Sequence, residues 1–142
     1  MIYCRVVGEG KMRTQTRRMK MKYYMLNLTQ HPATKEQESA GVIEPADKAA
    51  VRALLTFATL PNAADIAAAA CNLAIVARDS GYETAMIGGA PYLMRPLEEA
   101  LQQEGINPVY AYSRRESVET TDADGNIRKT QTFRHLGFVG AS

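Results

Sequence analysis

The order of structural elements is decided by residues 62–91, which read NAADIAAAACNLAIVARDSGYETAMIGGAP. Apolar residues recur at helical spacing between Asn62, a residue type that caps helix starts, and Gly81, a typical helix terminator. The following run from Tyr82 to Ile87 is short and apolar, which favours a buried strand. Pro91, just after a diglycine, is typical of a first helical turn. The stretch therefore predicts a helix, a strand and another helix in succession.

The same alternation extends in both directions along the chain. An apolar run that ends at Leu28 predicts a strand, and Thr34 with Gln37 three residues later predicts a capped helix. Asp124-Gly125-Asn126 predicts the turn of a β-hairpin. We predict strands at residues 23–28, 56–60, 82–87 and 107–113, helices at 34–41, 44–55, 62–81 and 91–104, and hairpin strands at 116–121 and 127–138.

Strands that alternate with helices are typical of right-handed βαβ units, which build a mostly parallel sheet with helices on both faces. We therefore predict the α/β fold class, as a Rossmann-like three-layer fold with a C-terminal antiparallel hairpin at the sheet edge. The 142 residues suffice for one domain with a substantial core. We assign residues 22–142 to this single domain and residues 1–21 to a basic N-terminal extension.

The basic extension divides the chain into two parts of opposite charge. Residues 1–22 hold seven basic side chains against one acidic side chain, Glu9, whereas the rest of the chain holds ten basic and fourteen acidic ones. The domain is thus mildly acidic, and contact with nucleic acid is expected only through the extension. One interpretation is a disordered segment that binds polyanions. The other is a translation start upstream of the native one, with the domain beginning near Met21.

Composition excludes several classes of protein. No apolar run approaches the roughly 20 residues that span a bilayer, and the basic start lacks the apolar stretch of a secretory signal. We therefore predict a cytoplasmic protein without membrane contacts. Two cysteines, Cys4 and Cys71, and two histidines far apart in sequence give no metal-binding pattern, so neither a metal nor a cofactor is predicted.

Polar residues lie where the predicted strands end, which is where open parallel sheets bind ligands. A diglycine before a helix lets a ligand approach both the backbone and the helix N-terminus. Adjacent arginines supply bidentate hydrogen-bond donors for phosphate. The candidate site residues are Asn27, Thr29 and His31 after the first strand, Gly88 and Gly89 after the third, and Ser113, Arg114 and Arg115 after the fourth.

Each of these motifs also has an alternative structural role. The diglycine is equally compatible with a tight turn from strand to helix. Arg114 and Arg115 are able to form ion pairs with Glu116 and Glu119 of the hairpin instead of binding a ligand. His31 is as compatible with a packed or solvated loop residue as with a ligand contact.

Four segments resemble, in order, a known group of proteins. They are Leu26–Pro32, Met86–Gly89, Tyr110–Glu116 and Phe133–Phe138. The pattern resembles small single-domain CRISPR-associated Rossmann-fold proteins that are grouped with ring nucleases, and it is also similar to uncharacterised proteins of prophages and integrative elements. The likeness covers about residues 23–139. One departure is Ala90, at a position that is polar or acidic in some relatives.

The resemblance implies a homodimer that places a cyclic oligoadenylate across its two-fold axis, in contact with the candidate residues above. The predicted function is therefore binding of a nucleotide-derived or other phosphorylated ligand, with or without metal-independent cleavage. If cleavage occurs, His31 would act as general base, and Arg114 or Arg115 would stabilise the phosphorane. A hydrolase of a small nucleotide would use the same site. The alternative, from another class, is an interaction or regulatory module of a mobile element without a small-molecule ligand.

Overall fold

The computed structural model describes residues 24–141, and the predictions for the basic extension lie outside these residues. The described strands are β1 (Met25–Leu28), β2 (Val42–Ile43), β3 (Thr84–Ile87), β4 (Asn107–Thr121) and β5 (Ile127–Gly140). The described helices are α1 (Lys35–Ser39), α2 (Lys48–Leu55), α3 (Ala63–Ser80) and α4 (Pro91–Gln103). No helix among them is both long enough and apolar enough to cross a bilayer.

The strands form one mixed sheet in the order β2-β1-β3-β4-β5. The first four strands are parallel, and β5 runs antiparallel to β4. This arrangement confirms the predicted α/β class, the mostly parallel sheet and its C-terminal antiparallel edge.

Helix α3 forms where its caps predict it. The Asn62 side chain accepts a hydrogen bond from the backbone N–H of Asp65, whose side chain in turn accepts from the Asn62 backbone. Gly81 ends the helix in the left-handed conformation, with a φ of 85°. Thr34 and Gln37 form the same reciprocal cap at the start of α1. The capping residues were therefore sufficient to predict where both helices start.

The second strand is not where the sequence predicts it. Residues 56–60 form a loop, and Leu60 is 96% exposed. The strand beside β1 is β2, in which Val42 pairs with Met25 and is 2% exposed. A two-residue strand is too short to show a periodic pattern, so the longer apolar run at 56–60 was wrongly preferred.

The fourth strand and the first hairpin strand, predicted as separate segments, are one continuous strand. β4 runs from Asn107 to Thr121, but only its first four residues pair with β3. From Ala111 onward it pairs with β5 alone, and the register shifts next to Tyr112. We call residues 111–138 the hairpin extension. It projects past the carboxyl ends of the other strands.

The two faces of the sheet are covered unequally in the described residues. Leu26, Leu28 and Ile87 pack in one large cluster with the apolar sides of α2, α3 and α4. The opposite face contributes Met86 and Val109 to a small second cluster, with α1 and the loop before it on that side. Right-handed crossovers explain this difference, because the chain steps from β1 to β2 in one direction and from β2 to β3 and β4 in the other.

Close packing of α3 against the sheet depends on small side chains. Ala74 is 0% exposed, whereas Ala68 on the same helix is exposed. We expect Ala74→Leu to lower the free energy of unfolding by about 1–3 kcal/mol, because the larger side chain overpacks the core. Ala68→Leu is the matched control and should change stability by no more than about 0.5 kcal/mol. Urea denaturation followed by circular dichroism measures both, and equal effects would contradict the described packing.

Candidate functional site

A cleft of about 470 Å³ opens at the carboxyl ends of β1, β3 and β4. No lysine, arginine, aspartate or glutamate is among its lining residues. Within residues 24–141, no group of three or more His, Cys, Asp or Glu side chains is placed to hold a metal ion. The lining residues are Thr29, Gln30, His31, Pro32, Thr34, Gln37, Met86, Ile87, Gly88, Gly89, Tyr110 and Ala111.

The cleft lies where the strand order reverses. The chain leaves β1 towards β2 on one side and leaves β3 towards β4 on the other, although β1 and β3 are neighbours. The loops that follow these two strands therefore diverge and leave a crevice between them. Open α/β sheets bind ligands at this kind of crevice.

Asn27 fixes the loop that forms one wall of the cleft. Its side chain is 0% exposed, and its amide nitrogen donates to the His31 carbonyl and to Glu44 Oε1, both at 2.9 Å. Its amide oxygen accepts from the backbone N–H of Thr29 at 2.9 Å and from the Thr29 hydroxyl at 2.6 Å. The structure thus places Asn27 beneath the cleft, where it holds Thr29 and His31 in position.

Glu44 and Lys48 brace the same loop from the other side, and sequence analysis missed both. The Lys48 ammonium donates to the carbonyls of Thr29 at 2.7 Å and His31 at 3.1 Å, and lies 3.1 Å from a Glu44 carboxylate oxygen. The other oxygen of Glu44 accepts from the Ala33 N–H at 2.6 Å. The four-residue spacing of Glu44 and Lys48 is typical of an ion pair. The spacing does not indicate, however, that the pair lies against the loop after β1.

The pKa of Glu44 is set by opposing effects. Burial alone would raise the pKa, but hydrogen bonds from Ala33, Asn27 and Lys48, with the charge of Lys48, hold it below its ordinary value of 4.5. Glu44 is therefore ionised at neutral pH.

His31 and the diglycine face the cleft from opposite walls. His31 is exposed, and the described residues offer its imidazole no hydrogen-bond partner. A Cβ added to Gly88 would lie 3.6 Å from the Thr29 methyl group, an ordinary contact distance. Gly89 has a φ of 148°, which strains any residue with a side chain.

The diglycine leads into α4, whose N-terminus has no side-chain cap. Thr34, Asp47 and Asn62 cap the other three described helices through side-chain oxygens. Ala90 occupies the corresponding position of α4 and has no such group. Pro91 has no N–H, and the Leu93 N–H donates to the Ala90 carbonyl at 3.0 Å. This terminus therefore offers an anion the Tyr92 N–H and the positive end of the helix dipole.

Tyr110 is a further cleft residue that was not among the predicted site residues. Its hydroxyl donates a hydrogen bond of 2.5 Å to Glu98 of α4. Burial, and then the hydrogen bond and negative charge of Glu98, raise the pKa of Tyr110 well above its ordinary value. Tyr110 thus stays neutral, and its hydroxyl proton is committed to Glu98.

Ser113, Arg114 and Arg115 do not line the cleft. They follow Tyr110 along the exposed hairpin extension, and Arg114 stands roughly 13 Å beyond Tyr110 at about 3.3 Å per residue. Arg114 lies directly opposite Arg134 on β5, and the Arg115 guanidinium lies 5.4 Å from the centre of the Phe133 ring. The structure therefore divides the predicted site into a cleft and a separate cationic segment.

The predicted ion pairs of these arginines are not the ones that form. Glu116 lies 3.8 Å from Arg134, and Glu119 lies 3.8 Å from Lys129. Both acidic side chains thus pair with residues of β5 across the hairpin.

The fold and the cleft define an α/β protein with a small crevice at the carboxyl edge of a mostly parallel sheet. Residues 23–139 match the model of the uncharacterized protein MJ1673 family, so the chain belongs to that family. No curated protein and no solved structure matches it.

The brace around Glu44 predicts a specific pH dependence of stability. We expect Glu44→Gln to lower the free energy of unfolding by about 1 kcal/mol at pH 7, a small value because the carboxylate is 35% exposed and screened by water. Since the folded-state pKa is depressed, this contribution is complete above pH 4.5 and is lost as the pH falls through the folded value.

Urea denaturation across the acidic range measures this effect. The stability difference between wild type and Glu44→Gln should shrink as the pH drops below 4.5. Glu83→Gln is the control, because Glu83 is exposed and its side chain makes no ion pair in the described part of the chain. A difference that stays constant with pH would contradict the brace.

Proposed function

We propose that this protein binds a nucleotide-derived or other phosphorylated ligand in the cleft, with cyclic oligoadenylate as the candidate ligand, and that its fold is Rossmann-like. The observation that carries the proposal is the position of the cleft at the strand-order reversal, with Gly88-Gly89 in its wall and the uncapped N-terminus of α4 directly after them in the chain. Phosphates favour this combination of open backbone and helix N-terminus.

The polar groups of the cleft suit a phosphodiester better than a free cation. Thr34 and Gln37 bring a hydroxyl and an amide donor to the cleft, whereas the Thr29 hydroxyl is committed to Asn27, and no carboxylate lines the cleft. The positive potential near the cleft comes from the α4 dipole and from Lys48 and Arg52, which donate to carbonyls of the cleft loop from outside the lining. Hydrogen-bond donors without charge favour recognition of an oligonucleotide-like ligand by many modest contacts rather than by one strong ion pair.

Cleavage would need no metal ion. The ribose 2′-hydroxyl would attack the adjacent phosphorus while the bond to the 5′-oxygen breaks, which gives a 2′,3′-cyclic phosphate and a free 5′-hydroxyl. His31 would take the proton of the 2′-hydroxyl, and water would return one to the leaving oxygen. The Gly89 N–H and the dipole of α4 would stabilise the charge on the phosphorane, and Arg114 or Arg115 would contribute only from a second copy of the chain, because neither lines its own cleft. The resemblance of the motif order to that of ring nucleases is the reason for proposing this chemistry.

The proposal also covers the assembly and location of the protein. A cyclic oligoadenylate has rotational symmetry, which a homodimer matches by presenting the same cleft twice. Nucleotide ligands of this kind are made inside cells, so the proposed site of action is the cytoplasm.

A thermal-shift screen of the full chain tests the ligand class. Cyclic tri-, tetra- and hexa-adenylate are compared with mono- and dinucleotides, each in large excess over the protein. A ligand at about 100 times its Kd adds roughly 2.7 kcal/mol to the stability of the folded state, which gives a clear rise in Tm. A rise with one cyclic species supports the proposal, and no rise with any nucleotide argues against it.

Gly88→Ala tests whether the ligand approaches the diglycine backbone. The new methyl group would meet Thr29 at 3.6 Å, so Tm should stay within a few degrees of wild type. The methyl group narrows the cleft, however, and we expect at least a tenfold loss of affinity for the nucleotide that the screen identifies. Unchanged affinity, measured by isothermal titration calorimetry, would place the ligand elsewhere.

His31→Ala separates binding from cleavage. If His31 is the general base, the variant should cleave the cyclic ligand about 100-fold or more slowly while it still binds the ligand. Chromatography of the reaction products follows the 2′,3′-cyclic phosphate. Cleavage at the wild-type rate would remove His31 from the mechanism and leave the binding proposal intact.

The alternative function, an interaction or regulatory module without a small ligand, also has one supporting observation. Five large apolar side chains are exposed on the hairpin extension: Tyr112, Val118, Ile127, Phe133 and Leu136. Ile127 and Phe133 lie on one face of the two-stranded ribbon and Val118 lies on the other, so apolar side chains are exposed on both faces, and such exposure favours protein contacts. A negative nucleotide screen would favour this function.

A further inference from the structure

The hairpin extension is long and contacts the rest of the described chain only near its base, where the His135 N–H donates to Glu36 of α1 and Phe138 packs on the small second cluster. Beyond Tyr110, β4 continues for eleven residues with β5 as its only strand partner, which corresponds to roughly 36 Å. A two-stranded ribbon alone in water is marginally stable. A ribbon of this length is therefore expected to be covered by another protein surface.

Apolar exposure in the described residues is concentrated on this segment. Nine large apolar side chains are exposed in residues 24–141, and five of them lie on the hairpin extension. Phe133 is 66% exposed and Ile127 is 67% exposed. Burying such side chains removes apolar surface from water, so they favour association with a protein surface.

The charges on the hairpin extension are balanced at its tip and unbalanced at its base. Near the tip, Arg128 lies 4.0 Å from Asp122 and Lys129 lies 3.8 Å from Glu119. At the base, the described residues provide no acidic partner for Arg114 or Arg115. Arg114 also stands directly opposite Arg134, and like charges at that spacing repel.

The cleft has the complementary character. It lacks a cationic side chain, and α1 at its rim carries Glu36 and Glu38. Arg114 and Arg115 lie three and four residues past Ala111, the last cleft-lining residue of β4, which places their Cα atoms about 10 and 13 Å farther along the strand. One chain thus carries a cleft with no cation among its lining residues and a projecting segment whose two arginines have no acidic partner in the described residues.

We propose that two copies of this chain pack with their carboxyl edges facing each other, so that each hairpin extension lies on the partner and brings Arg114 and Arg115 to the partner's cleft. The role of the arginines rests on the proposed function, whereas the interface itself does not depend on that function. In a two-fold dimer, a single interface covers both hairpin extensions and places arginine side chains beside both clefts. The binding site is then composite, with backbone groups from one protomer and guanidinium groups from the other.

The oligomeric state tests the interface without any ligand. The full chain should be a dimer by light scattering coupled to size-exclusion chromatography. Phe133→Glu places a charge on the covered surface and should raise the dimer Kd at least tenfold. Tyr24→Glu is the matched control, because Tyr24 is 44% exposed and directly precedes β1, at the amino edge of the sheet opposite to the proposed interface, and it should leave the dimer intact. A monomeric wild type, or equal behaviour of the two variants, would overturn the interface.

A second variant controls for the possibility that Phe133→Glu disrupts the local fold of the hairpin. Replacing residues 115–133 by Asn-Gly shortens the hairpin to a turn type that joins antiparallel strands, and the main core cluster contains no residue of that segment. Circular dichroism should show a folded protein, and light scattering should show a monomer. A folded dimer of this variant would overturn the proposal.

Mixing two defective variants tests the sharing of the site. Gly88→Ala damages the cleft, and the double variant Arg114→Ala/Arg115→Ala damages the cationic segment. After mild unfolding and refolding together, a shared site leaves about a quarter of all sites intact, because each mixed dimer combines one undamaged cleft with one undamaged segment. Binding of cyclic tetra-adenylate, or of the nucleotide that the screen identifies, should recover to that level.

The outcomes separate the two proposals. Recovery in the mixture supports a composite site, and no recovery in a confirmed dimer shows that each protomer uses its own arginines. If the Phe133 and Tyr24 variants behave as expected but no nucleotide binds, the interface stands and the proposed function fails. If a nucleotide binds to a monomer, the proposed function stands and this inference fails.

Discussion

The arrangement of the cleft depends on the buried side chain of Asn27. It is the one polar side chain within the buried core of the described residues, and a buried amide without partners would cost several kcal/mol. The loop after β1 folds back over the Asn27 amide, so that Thr29 and the His31 carbonyl form hydrogen bonds with the amide. The loop geometry therefore follows from satisfying one buried group. Glu44 and Lys48 extend the same network outward and connect the loop to α2.

The loop that forms the cleft is held by many interactions, whereas the hairpin extension is held by few. Hydrogen bonds and ion pairs of the cleft loop reach β1, β2 and α2 within a small volume, so opening the loop requires breaking several of them together. The hairpin extension has its own ladder, one hydrogen bond in which the backbone N–H of His135 donates to Glu36 of α1, and the packing of Phe138 on the small second cluster at its base. Local opening of the projection is thus expected to cost far less than opening of the cleft.

Sequence reasoning predicted those parts of the fold that local signals determine. The caps at Asn62 and Thr34 and the alanine-rich face of α3 were sufficient for the helices, and the four cleft residues Thr29, His31, Gly88 and Gly89 follow from strand ends alone. The arginines were placed at a strand end because a polar run resembles a loop. A ribbon exposed on both faces has polar residues on both sides, and therefore shows no alternation that would have revealed the continuing strand. Glu44 and Lys48 could not be assigned because their role depends on β2, which is only two residues long.

The outer side of β5 has a consequence for the solubility of the protein. In the described sheet β5 is an edge strand, and such an edge is a template on which other chains can add as further strands. Arg128, Lys129 and Arg134 interrupt its apolar residues with positive charge, and Gly137 adds a φ of 155° where the register shifts. Charged side chains along an exposed edge disfavour edge-to-edge pairing because they would lose water on contact, even though each of these three has an acidic partner across the hairpin. Replacing the three by neutral residues would therefore remove a barrier to aggregation through this strand.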